Sequence, residues 1–346
     1  MIKPLPRIRD VALAAGVSTA TVSRALSHPE RVSKETRERV LAAVEKTGYT
    51  INYAARNLRR RRTGSIVVLV PNLANPFFSA ILSAIASEIA PAGYNVLIAD
   101  TAQPPHSEQR ILEYLNNNRA DGLILLDGAL KGVIERGREL SVGLPPLIFA
   151  CEWISEDGFP SVRIDNAEGA RLAIRHLVDL GHTRIGHVAG PPENVLTVER
   201  RRGAREAIAK AGLEIREDWF FPGDFTMGSG AEAARAWFSL KDRPTAIFCS
   251  SDEMAFGFIS ELHRNGLEVP DAVSVVGFDD IEISKRFVPS LTTIHQPRAR
   301  IGRKAARLLL DVIDGDDEDR RRARTAAPEI LPIELVVRES TSKARA

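Results

Sequence analysis

The sequence predicts a small all-α N-terminal headpiece followed by an α/β core of parallel sheets. Within the first fifty residues, apolar residues recur at helical spacing between short polar caps. After Thr63, short apolar runs alternate with segments of helical length, a pattern typical of βαβ units. The runs are continuously apolar rather than alternating, which predicts strands buried on both faces.

The headpiece pattern predicts three short helices. Gly16 ends the first helix and Gly48 ends the third, because glycine tolerates the positive φ found at helix ends. Ser18 and Ser33 are expected to cap the second and third helices. The residues expected to point inward are Ile8, Val11, Ala12, Ala15, Val22, Leu26, Val40, Leu41 and Val44. Two helices joined by a tight glycine turn form a helix-turn-helix, whose second helix presents its N-terminal residues to a DNA major groove.

Charge separates the headpiece from the core. Residues 1–62 carry 14 Lys and Arg against 5 Asp and Glu, whereas the remaining residues carry 33 and 40. Four consecutive arginines, 59–62, close the basic segment. A basic module on an acidic body predicts a polyanionic partner for the first sixty residues, with a solvated basic tail as the alternative.

The core pattern contains about ten strands, too many for one compact sheet, so we expect two similar halves. The chain should pass between the halves near residues 162, 292 and 325. Helices are expected at 77–92, 107–118, 166–180, 198–212, 228–240 and 253–265. The stretch 314–325, "DGDDEDRRRART", is expected to be a charged surface loop.

Several classes of protein are excluded or disfavoured. Cys151 and Cys249 lie far apart in apolar runs, so we expect reduced core thiols. No signal peptide or transmembrane-length apolar stretch is visible, so a cytoplasmic protein without membrane contact is expected. The first strand is followed by "VPNLANPFF" in place of a GxGxxG loop, and no Walker loop or GxSxG is found. The spacing of His182 and His187 favours structural histidines over a metal pair.

Polar and aromatic residues follow the predicted strands, where ligands of open parallel sheets bind. They include Asn72, Asn75, Asp127, Glu152, Trp153, Asp252 and Asp279, with Phe77, Phe78 and Phe225 nearby in sequence. Carboxylates bind sugar hydroxyls and aromatic faces cover sugar rings, so the set suits a polyhydroxylated ligand. The alternative for Asp165 and Asp252 is that each caps a helix.

The motifs of the whole chain, in order, resemble those of the lactose-repressor (LacI/GalR) family. The headpiece contributes "IRDVALAAGVSTATVSRAL", "VSKETRERVLAAVEKTGY" and "AARNLRRR". The body contributes "VPNLANPFF", "DGLIL", "GHTRIGHVAGP", "SSDEMAFG", "VSVVGFDD" and "LTTIHQP". The resemblance implies a helix-turn-helix joined to a two-lobed, periplasmic-binding-protein-like core. It also implies an operator-binding repressor that responds to a small metabolite.

The resemblance assigns DNA contacts by position. Thr19, Ala20 and Arg24 fall where the family's recognition helix reads base edges. Arg24 can donate two hydrogen bonds to guanine, whereas Thr19 and Ala20 offer methyl contacts. Ser18, Thr21 and Ser23 are placed for phosphates.

The hinge after the headpiece is also assigned by the resemblance. Leu58 matches the hinge leucine that wedges into the minor groove, with Ala55 beside it and Arg59 on the DNA backbone. The family commonly has proline where Ile51 stands, and Asn52 can cap the hinge helix instead. We expect this arginine-rich hinge to become helical on binding DNA.

For the effector cleft, the resemblance points to residues at the strand ends and on one helix. They are Phe77, Phe78, Glu152, Trp153, Arg200, Phe225, Ser251, Asp252 and Asp279. Arg201 is the alternative to Arg200, and many relatives carry asparagine where Ser251 stands. The preferred effector is a sugar, sugar acid or polyol, and the alternative is a nucleobase.

These observations predict a homodimeric transcriptional regulator, most simply a repressor, that binds a palindromic operator. Each helix-turn-helix addresses half of the site, and the C-terminal "ESTSKARA" lacks the heptads of a tetramerising coiled coil. No catalytic residue, metal or cofactor is expected. The rivals are a transport-linked sugar-binding protein and an α/β enzyme.

The expected domains are the headpiece at 1–50, the hinge helix and linker at 51–63, and the effector-binding and dimerisation core at 64–346. Within the core, the N-lobe is expected at about 64–162 and 293–325. The C-lobe is expected at about 163–292 and 326–346.

Overall fold

A computed structural model of the chain describes residues 6–49, 62–101, 120–128, 145–154 and 159–345. The chain divides into two compact units, Met1–Arg62 and Thr63–Ala346. The hinge residues Asn52, Ala55, Leu58 and Arg59, and the helix expected at 107–118, lie outside the described residues. The expectations about them therefore stay predictions.

The first unit contains the three expected helices. They are α1 (Ile8–Ala15), α2 (Thr19–Ser27) and α3 (Lys34–Thr47), with a 3-10 turn at Pro29–Arg31. α1 ends at Gly16, whose φ of +63° is the left-handed conformation predicted there. Ser18 Oγ accepts a hydrogen bond from the Thr21 backbone N–H at 3.1 Å. Ser33 Oγ does the same for Thr36 at 3.4 Å, so both predicted caps are confirmed.

The headpiece has its own small core. Its buried members are Val11, Ala12, Ala15, Val22, Ala25, Val40 and Ala43. The expectation that Leu41 points inward is wrong, because its side chain is 50% exposed. The inward stripe of α3 runs through Val40, Ala43 and Val44, and Leu41 lies about 100° around the helix from Val40.

The second unit contains two six-stranded sheets. Strands of the first sheet are β1 (Ser65–Val70), β2 (Asn95–Asp100), β3 (Gly122–Leu125), β4 (Leu147–Ala150), β5 (Ser161–Ile164) and β11 (Glu329–Leu331). Strands of the second are β6 (Ile185–Val188), β7 (Phe220–Phe221), β8 (Ala246–Cys249), β9 (Ser274–Asp279), β10 (Thr292–His295) and β12 (Glu334–Val336). The first sheet has the order β2-β1-β3-β4-β5-β11 and the second has the order β7-β6-β8-β9-β10-β12. The first sheet is parallel throughout, and in the second only β12 runs antiparallel, against β10.

Helices follow most of the strands, as α/β connections require. They are α4 (Phe77–Ile89), α5 (Asn166–Asp179), α6 (Val195–Lys210), α7 (Met227–Ser239), α8 (Asp252–Arg264), α9 (Arg298–Asp314) and α10 (Asp317–Thr325). Further 3-10 turns occupy Ala90–Ala92, Glu217–Trp219 and Glu282–Lys285. α9 lies very close to α4, since a Cβ on Gly302 would clash with the Ile81 carbonyl oxygen.

Most strands are buried on both faces, as their continuous apolarity predicts, but β2 is not. Leu97 and Ile98 of β2 are 46% and 47% exposed. Among the described strands, β2 pairs with β1 alone, at one edge of the first sheet, so less of the described core covers it. An apolar run therefore predicted the strand correctly and its burial incorrectly.

The stretch expected to be a charged loop at 314–325 is in part a helix, α10. Asp316 Oδ1 accepts hydrogen bonds from the backbone N–H groups of Glu318 and Asp319. Glu318 and Arg322 form an ion pair at i,i+4 spacing. Acidic residues in the first turn and basic residues in the last turn suit the helix dipole, which explains how so polar a segment forms a helix.

The chain passes between the sheets three times. It leaves the first sheet after Ile164, returns to it after His295, and leaves it again after Leu331. None of the described helices is both long and apolar enough to cross a membrane.

Candidate functional site

Backbone strain is concentrated at the carboxyl ends of the strands. The non-glycine residues with positive φ, among those the structure describes, are Cys151 (+69°), Phe225 (+66°), Asp279 (+125°) and Asp280 (+51°). Each ends a strand or follows one. Such conformations cost roughly 1–3 kcal/mol each and persist mainly at binding and active sites. These strand ends are therefore the candidate site.

Arg200, on α6, is the buried cation of this site, and it is only 2% exposed. Its Nε donates to Asn166 Oδ1 at 2.9 Å, and its Nη1 donates to the Ser250 carbonyl oxygen at 2.5 Å. Its guanidinium carbon lies 3.8 Å from the ring centroid of Phe278 and 5.9 Å from that of Phe225. Two hydrogen bonds and a ring face thus fix the orientation of the guanidinium group.

Asp279 ends β9 and is buried beside this cation. Its Oδ1 accepts a hydrogen bond from Gln296 Nε2 at 2.7 Å. Burial raises the pKa of Asp279, and the charge of Arg200 opposes that rise. Arg200 Nη2 and Asp279 Oδ2 make no hydrogen bond to the residues that the structure describes. One donor and one acceptor are therefore available to a ligand.

Glu152 follows β4 of the first sheet and contacts residues of both lobes, the lobe built on the first sheet and the lobe built on the second. Its Oε2 accepts a hydrogen bond from the Gly128 backbone N–H at 2.8 Å. Its Oε1 accepts one from Asn194 Nδ2 at 3.0 Å, and Asn194 caps α6 of the second lobe through its Oδ1. Burial raises the pKa of Glu152 to about 7, although these hydrogen bonds lower it. The pair is thus a direct contact between the lobes.

Ser251 and Asp252 both have partners within the protein. Ser251 Oγ caps α8 by accepting from the Met254 backbone N–H at 3.2 Å. Asp252 is fully buried, and its carboxylate accepts from Ser284 Oγ, Thr293 Oγ1 and the Ile281 backbone N–H. These bonds link α8 to the segment after β9 and to β10. Of the two residues for which a capping role was the alternative, Asp165 is a cap and Asp252 is not.

The aromatic residues expected at the cleft occupy different environments. Phe77 and Phe78 form the first turn of α4 and pack edge to face at 5.0 Å, both buried in the main core. Phe225 is half-buried beside Arg200. Trp153 is half-buried against a second apolar cluster, and one face of its ring is covered by the Arg163 guanidinium at 4.1 Å. Arg163 therefore leaves at most one face of the Trp153 ring for a ligand.

Arg201, the alternative to Arg200, lies on the outside of α6 and pairs with Glu217 at 3.3 Å. Sequence reasoning missed the amides of Asn166 and Gln296, which hold Arg200 and Asp279. In the sequence, their place after a strand is what could have indicated them. Asn166 follows β5 and Gln296 follows β10, where the chain passes between the sheets.

The headpiece presents a second candidate surface on α2. Thr19, Ala20 and Arg24 are exposed along one side of this helix, and Ser18 is exposed at its start. Thr21 and Ser23 are half-buried. The Arg24 guanidinium group makes no hydrogen bond or ion pair within the described part of the chain. It is available to a DNA base.

Comparison with known proteins shows the family to which the chain belongs. Residues 7–52 match the family model described as bacterial regulatory proteins, lacI family, and residues 174–341 match a periplasmic binding protein-like domain. The chain is 39% identical to the HTH-type transcriptional repressor CytR of Escherichia coli (strain K12), over 96% of each chain. The chain belongs to the lacI family of bacterial regulatory proteins.

Other lacI-family members support this assignment. The HTH-type transcriptional repressor PurR of Photobacterium profundum is 36% identical over 96% of this chain and 98% of its own. The lac repressor dimer bound to operator and the anti-inducer ONPF superposes with a TM-score of 0.82, at 29% identity over 98% and 100% of the chains. The transcriptional regulator CelR–cellobiose complex gives a TM-score of 0.71, at 31% identity over 97% and 99%. This lacI-family protein is a DNA-binding transcriptional regulator.

The histidines and cysteines of this regulator have structural environments. His182 contacts Thr245 Oγ1 and Ser274 Oγ, and His187 stacks on Phe248 at 4.8 Å between ring centroids. Burial lowers the pKa of both imidazoles. Cys151 and Cys249 are free and buried, as expected. Over the described ranges, no group of three His, Cys, Asp or Glu residues is placed to hold a metal ion.

Glu152 should make the stability of the regulator depend on pH. Its pKa rises from 4.5 in the reference state to about 7 in the folded chain. Between these pH values the Glu152 carboxyl group keeps its proton in the folded state and releases it in the unfolded state. The contribution of Glu152 to the free energy of unfolding therefore falls as pH rises, by up to about 1.4 kcal/mol per pH unit. Thermal unfolding from pH 4.5 to 8 should therefore show that Glu152→Gln gains in melting temperature relative to the wild type as pH increases. The exposed Glu193→Gln should track the wild type, and parallel curves for all three proteins would contradict the assignment.

Proposed function

We propose that this lacI-family regulator is a repressor whose operator affinity is controlled by a small polyhydroxylated metabolite bound between its two lobes. A sugar, sugar acid or polyol is the preferred effector. The observation that carries the proposal is the buried Arg200, held by Asn166 and Ser250, beside the buried carboxylate of Asp279. The absence of known catalytic motifs and the repressor relatives support a regulator rather than an enzyme. Because a repressor acts on chromosomal operators, we expect it in the cytoplasm.

The chemistry of the cleft supports a ligand with adjacent hydroxyl groups. A hydroxyl group both donates and accepts, so a vicinal diol can satisfy Arg200 Nη2 and Asp279 Oδ2 together. Glu152 supplies further acceptor oxygens, and Phe225 supplies a ring face beside Arg200. Two similar regulators have been solved with sugars, CelR with cellobiose and a LacI-family regulator from Enterococcus faecium with ribose. Trp153 and Ser251 complete the proposed effector-binding set. Asp252, held by Ser284, Thr293 and Ile281, would position the cleft rather than contact the effector, and the buried Phe77 and Phe78 would shape its wall.

A nucleobase is the second candidate effector. The half-buried Phe225 ring could stack on a planar base, and Arg200 and Asp279 could bind its edge. The sugar class is preferred because the available atoms are a guanidinium donor and a carboxylate acceptor, the pair that adjacent hydroxyl groups satisfy together.

The proposed DNA surface consists of α2 and the hinge. Arg24, Thr19 and Ala20 would read bases, while Ser18, Thr21 and Ser23 would contact phosphates. Asn52, Ala55, Leu58 and Arg59 would order the hinge and open the minor groove. One headpiece reads one half-site, so a palindromic operator requires a homodimer, as in the solved lac repressor dimer.

Effector control would act through the arrangement of the lobes. The Glu152–Asn194 hydrogen bond joins them directly at the candidate site. A ligand that binds one lobe arrangement more tightly than the other shifts the population toward it, and thereby changes the spacing of the paired hinges.

The test begins with DNA selected from a random pool by the full chain, which should yield a palindrome. Thermal-shift assays then screen D-ribose, cellobiose, D-gluconate, mannitol, adenosine and guanine, since a ligand of the native state raises the melting temperature. The tightest binder should change operator affinity by about 5- to 150-fold. If every binder leaves operator affinity unchanged, effector control fails. If only guanine binds, the sugar class fails and the regulator stands.

A further inference from the structure

The carboxylate of Asp121 binds the two residues that join the hinge to the core. Its Oδ1 accepts a hydrogen bond from the Thr63 backbone N–H at 2.9 Å, and its Oδ2 accepts one from the Gly64 backbone N–H at 2.7 Å. Hydrogen bonds to an ionised group are roughly twice as strong as those between neutral groups, and successive backbone N–H groups favour an anion. Asp121 thus holds the backbone where the hinge meets the core.

Further hydrogen bonds hold the same turn. Gly64 has a φ of +71°, and its carbonyl oxygen accepts from the Asn95 backbone N–H at 2.9 Å, at the start of β2. The Asp121 backbone N–H donates to the Ser65 carbonyl oxygen at 2.8 Å, and the Ser65 backbone N–H donates to Thr63 Oγ1 at 3.1 Å. The first residue of β2 and the residue before β3 therefore bind this turn from two sides.

The sheet itself does not depend on the Asp121 carboxylate. Each residue of β1, Ser65–Val70, has a partner in β2, and Ile66–Leu69 also have partners in β3. The carboxylate acts beyond the end of these ladders, on backbone groups that lead only to the hinge. Its two hydrogen bonds therefore position the chain that enters β1 rather than the strand.

The negative charge of this carboxylate opposes DNA binding. Four arginines, 59–62, directly precede Thr63 in the sequence. A carboxylate next to such a segment repels phosphates, so its charge alone should weaken binding to any DNA. A role in positioning the hinge should instead strengthen binding to the operator. The two effects have opposite signs, which makes them separable by experiment.

We infer that Asp121 is a positioning residue for operator binding. By holding the Thr63 and Gly64 amides, it fixes the point and the direction in which the hinge leaves each core of the dimer. Without it, two further residues per protomer have to be ordered when the hinge binds DNA, and that ordering costs conformational entropy. This inference rests on the proposed role of the hinge and adds the core residue that anchors it.

The test compares Asp121→Asn with the wild type by fluorescence anisotropy of the full chain on its selected palindrome and on a scrambled duplex. Asparagine keeps one acceptor oxygen and places an N–H donor against the other backbone N–H. The dissociation constant for the palindrome should rise about tenfold or more, since four residues of the dimer lose their anchor. Affinity for the scrambled duplex should stay the same or increase, because a negative charge is removed.

Asp316→Asn is the matched control. The Asp316 carboxylate also accepts hydrogen bonds from two backbone N–H groups, those of Glu318 and Asp319, but at the start of α10. The variant removes the same charge and the same kind of bond at a place far from the hinge in sequence. Its affinity for the palindrome should stay within about threefold of the wild type, since no residue next to the hinge is released.

Hydrogen exchange of the wild type without DNA is an independent measurement that needs no variant. The Thr63 and Gly64 amides should exchange at least about 100-fold more slowly than unprotected amides, because both are hydrogen-bonded. In Asp121→Asn this protection should fall at these two amides and persist along β1. A purely structural role for Asp121 would instead lower the melting temperature and leave the affinity for the palindrome unchanged at assay temperatures well below it.

The outcomes separate this role from operator binding itself. Wild-type affinity for the palindrome in Asp121→Asn, an equal change on both duplexes, an equal loss in Asp316→Asn, or unprotected Thr63 and Gly64 amides in the wild type would each overturn the role of Asp121. Operator binding would stand in all four cases. If Asp121→Asn does not fold, the exchange rates of the wild type decide. If the wild type binds both duplexes equally, operator binding fails and the role of Asp121 fails with it.

Discussion

Replacing Arg200 with lysine is expected to lower effector affinity at least about 100-fold and to remove the effector response of operator binding. Lysine keeps the charge but cannot donate to Asn166 Oδ1 and the Ser250 carbonyl oxygen at once. It also leaves the buried Asp279 beside a less well-oriented cation. Disrupting such a buried charged network costs roughly 3 kcal/mol, so the melting temperature should fall as well. Calorimetry with the tightest probe and operator titrations with and without it measure both effects.

Arg201→Lys is the matched control for this experiment. Arg201 is the next residue on α6, but it is exposed and pairs with Glu217 at the surface. Surface ion pairs contribute about 0–1 kcal/mol, so this variant should keep wild-type affinity and response. An equal loss in both variants, or full effector response in Arg200→Lys, would show that Arg200 does not orient the ligand.

Replacing Arg24 with alanine is expected to weaken binding to the selected operator by at least about tenfold. A bidentate arginine–guanine contact contributes about 1–3 kcal/mol of discrimination, and a dimer makes it in both half-sites. Arg24 is exposed on α2, the second helix of the helix-turn-helix, which reads the major groove in such motifs. Preference for one base pair per half-site should be lost, whereas binding to unrelated DNA should change little. Fluorescence anisotropy on the operator and its single-base variants measures this.

Lys46→Ala removes the same charge from the exposed last turn of α3. If net charge alone governs binding, the two variants should weaken operator and unrelated DNA equally. If Arg24 reads a base, only Arg24→Ala should relax specificity. Retention of the full base preference in Arg24→Ala would contradict the assignment of the recognition surface.

The sequence predicted the headpiece helices well, because they begin at serine caps and end at glycines. Both residue types act on the backbone within a few residues of themselves. Gly16 and Gly48 adopt the left-handed conformation, and Ser18 and Ser33 cap the helices that follow them. The apolar pattern wrongly predicts that Leu41 points inward, because apolar character alone does not ensure burial. The headpiece core is small, however, and Ala43 fills the position that faces it.

In the core, long apolar runs predicted the central strands, but the sequence pattern did not predict the short strands or the polar helix. β7 has two residues and β12 has three, so neither carries a periodic signal. The helix α10 is stabilised by charge placement rather than by an apolar face, which hydrophobic periodicity does not detect. The prediction that β2 is buried on both faces is wrong, because the burial of a strand depends on its place in the sheet.

The sequence predicted the charged residues of the candidate cleft, but it did not predict the residues that hydrogen-bond to them. Asp279 ends a strand, Glu152 follows one, and the family resemblance identifies Arg200. Asn166 and Gln296 come from segments far away in sequence, and only the folded chain brings them to Arg200 and Asp279. Asp252 shows the converse, since a strand-end carboxylate proved to be fully hydrogen-bonded within the protein.

The central claim is that one chain couples sequence-specific DNA binding to occupancy of the cleft. The most direct test is fluorescence anisotropy of the full chain on its selected palindrome and on a scrambled duplex, with and without the tightest probe. The account predicts binding to the palindrome at least about 1,000-fold tighter than to the scrambled DNA. The tightest probe should change the affinity for the palindrome several-fold or more in the wild type and leave it unchanged in Arg200→Lys. Equal affinity for the two duplexes, or the same probe effect in both proteins, would contradict it.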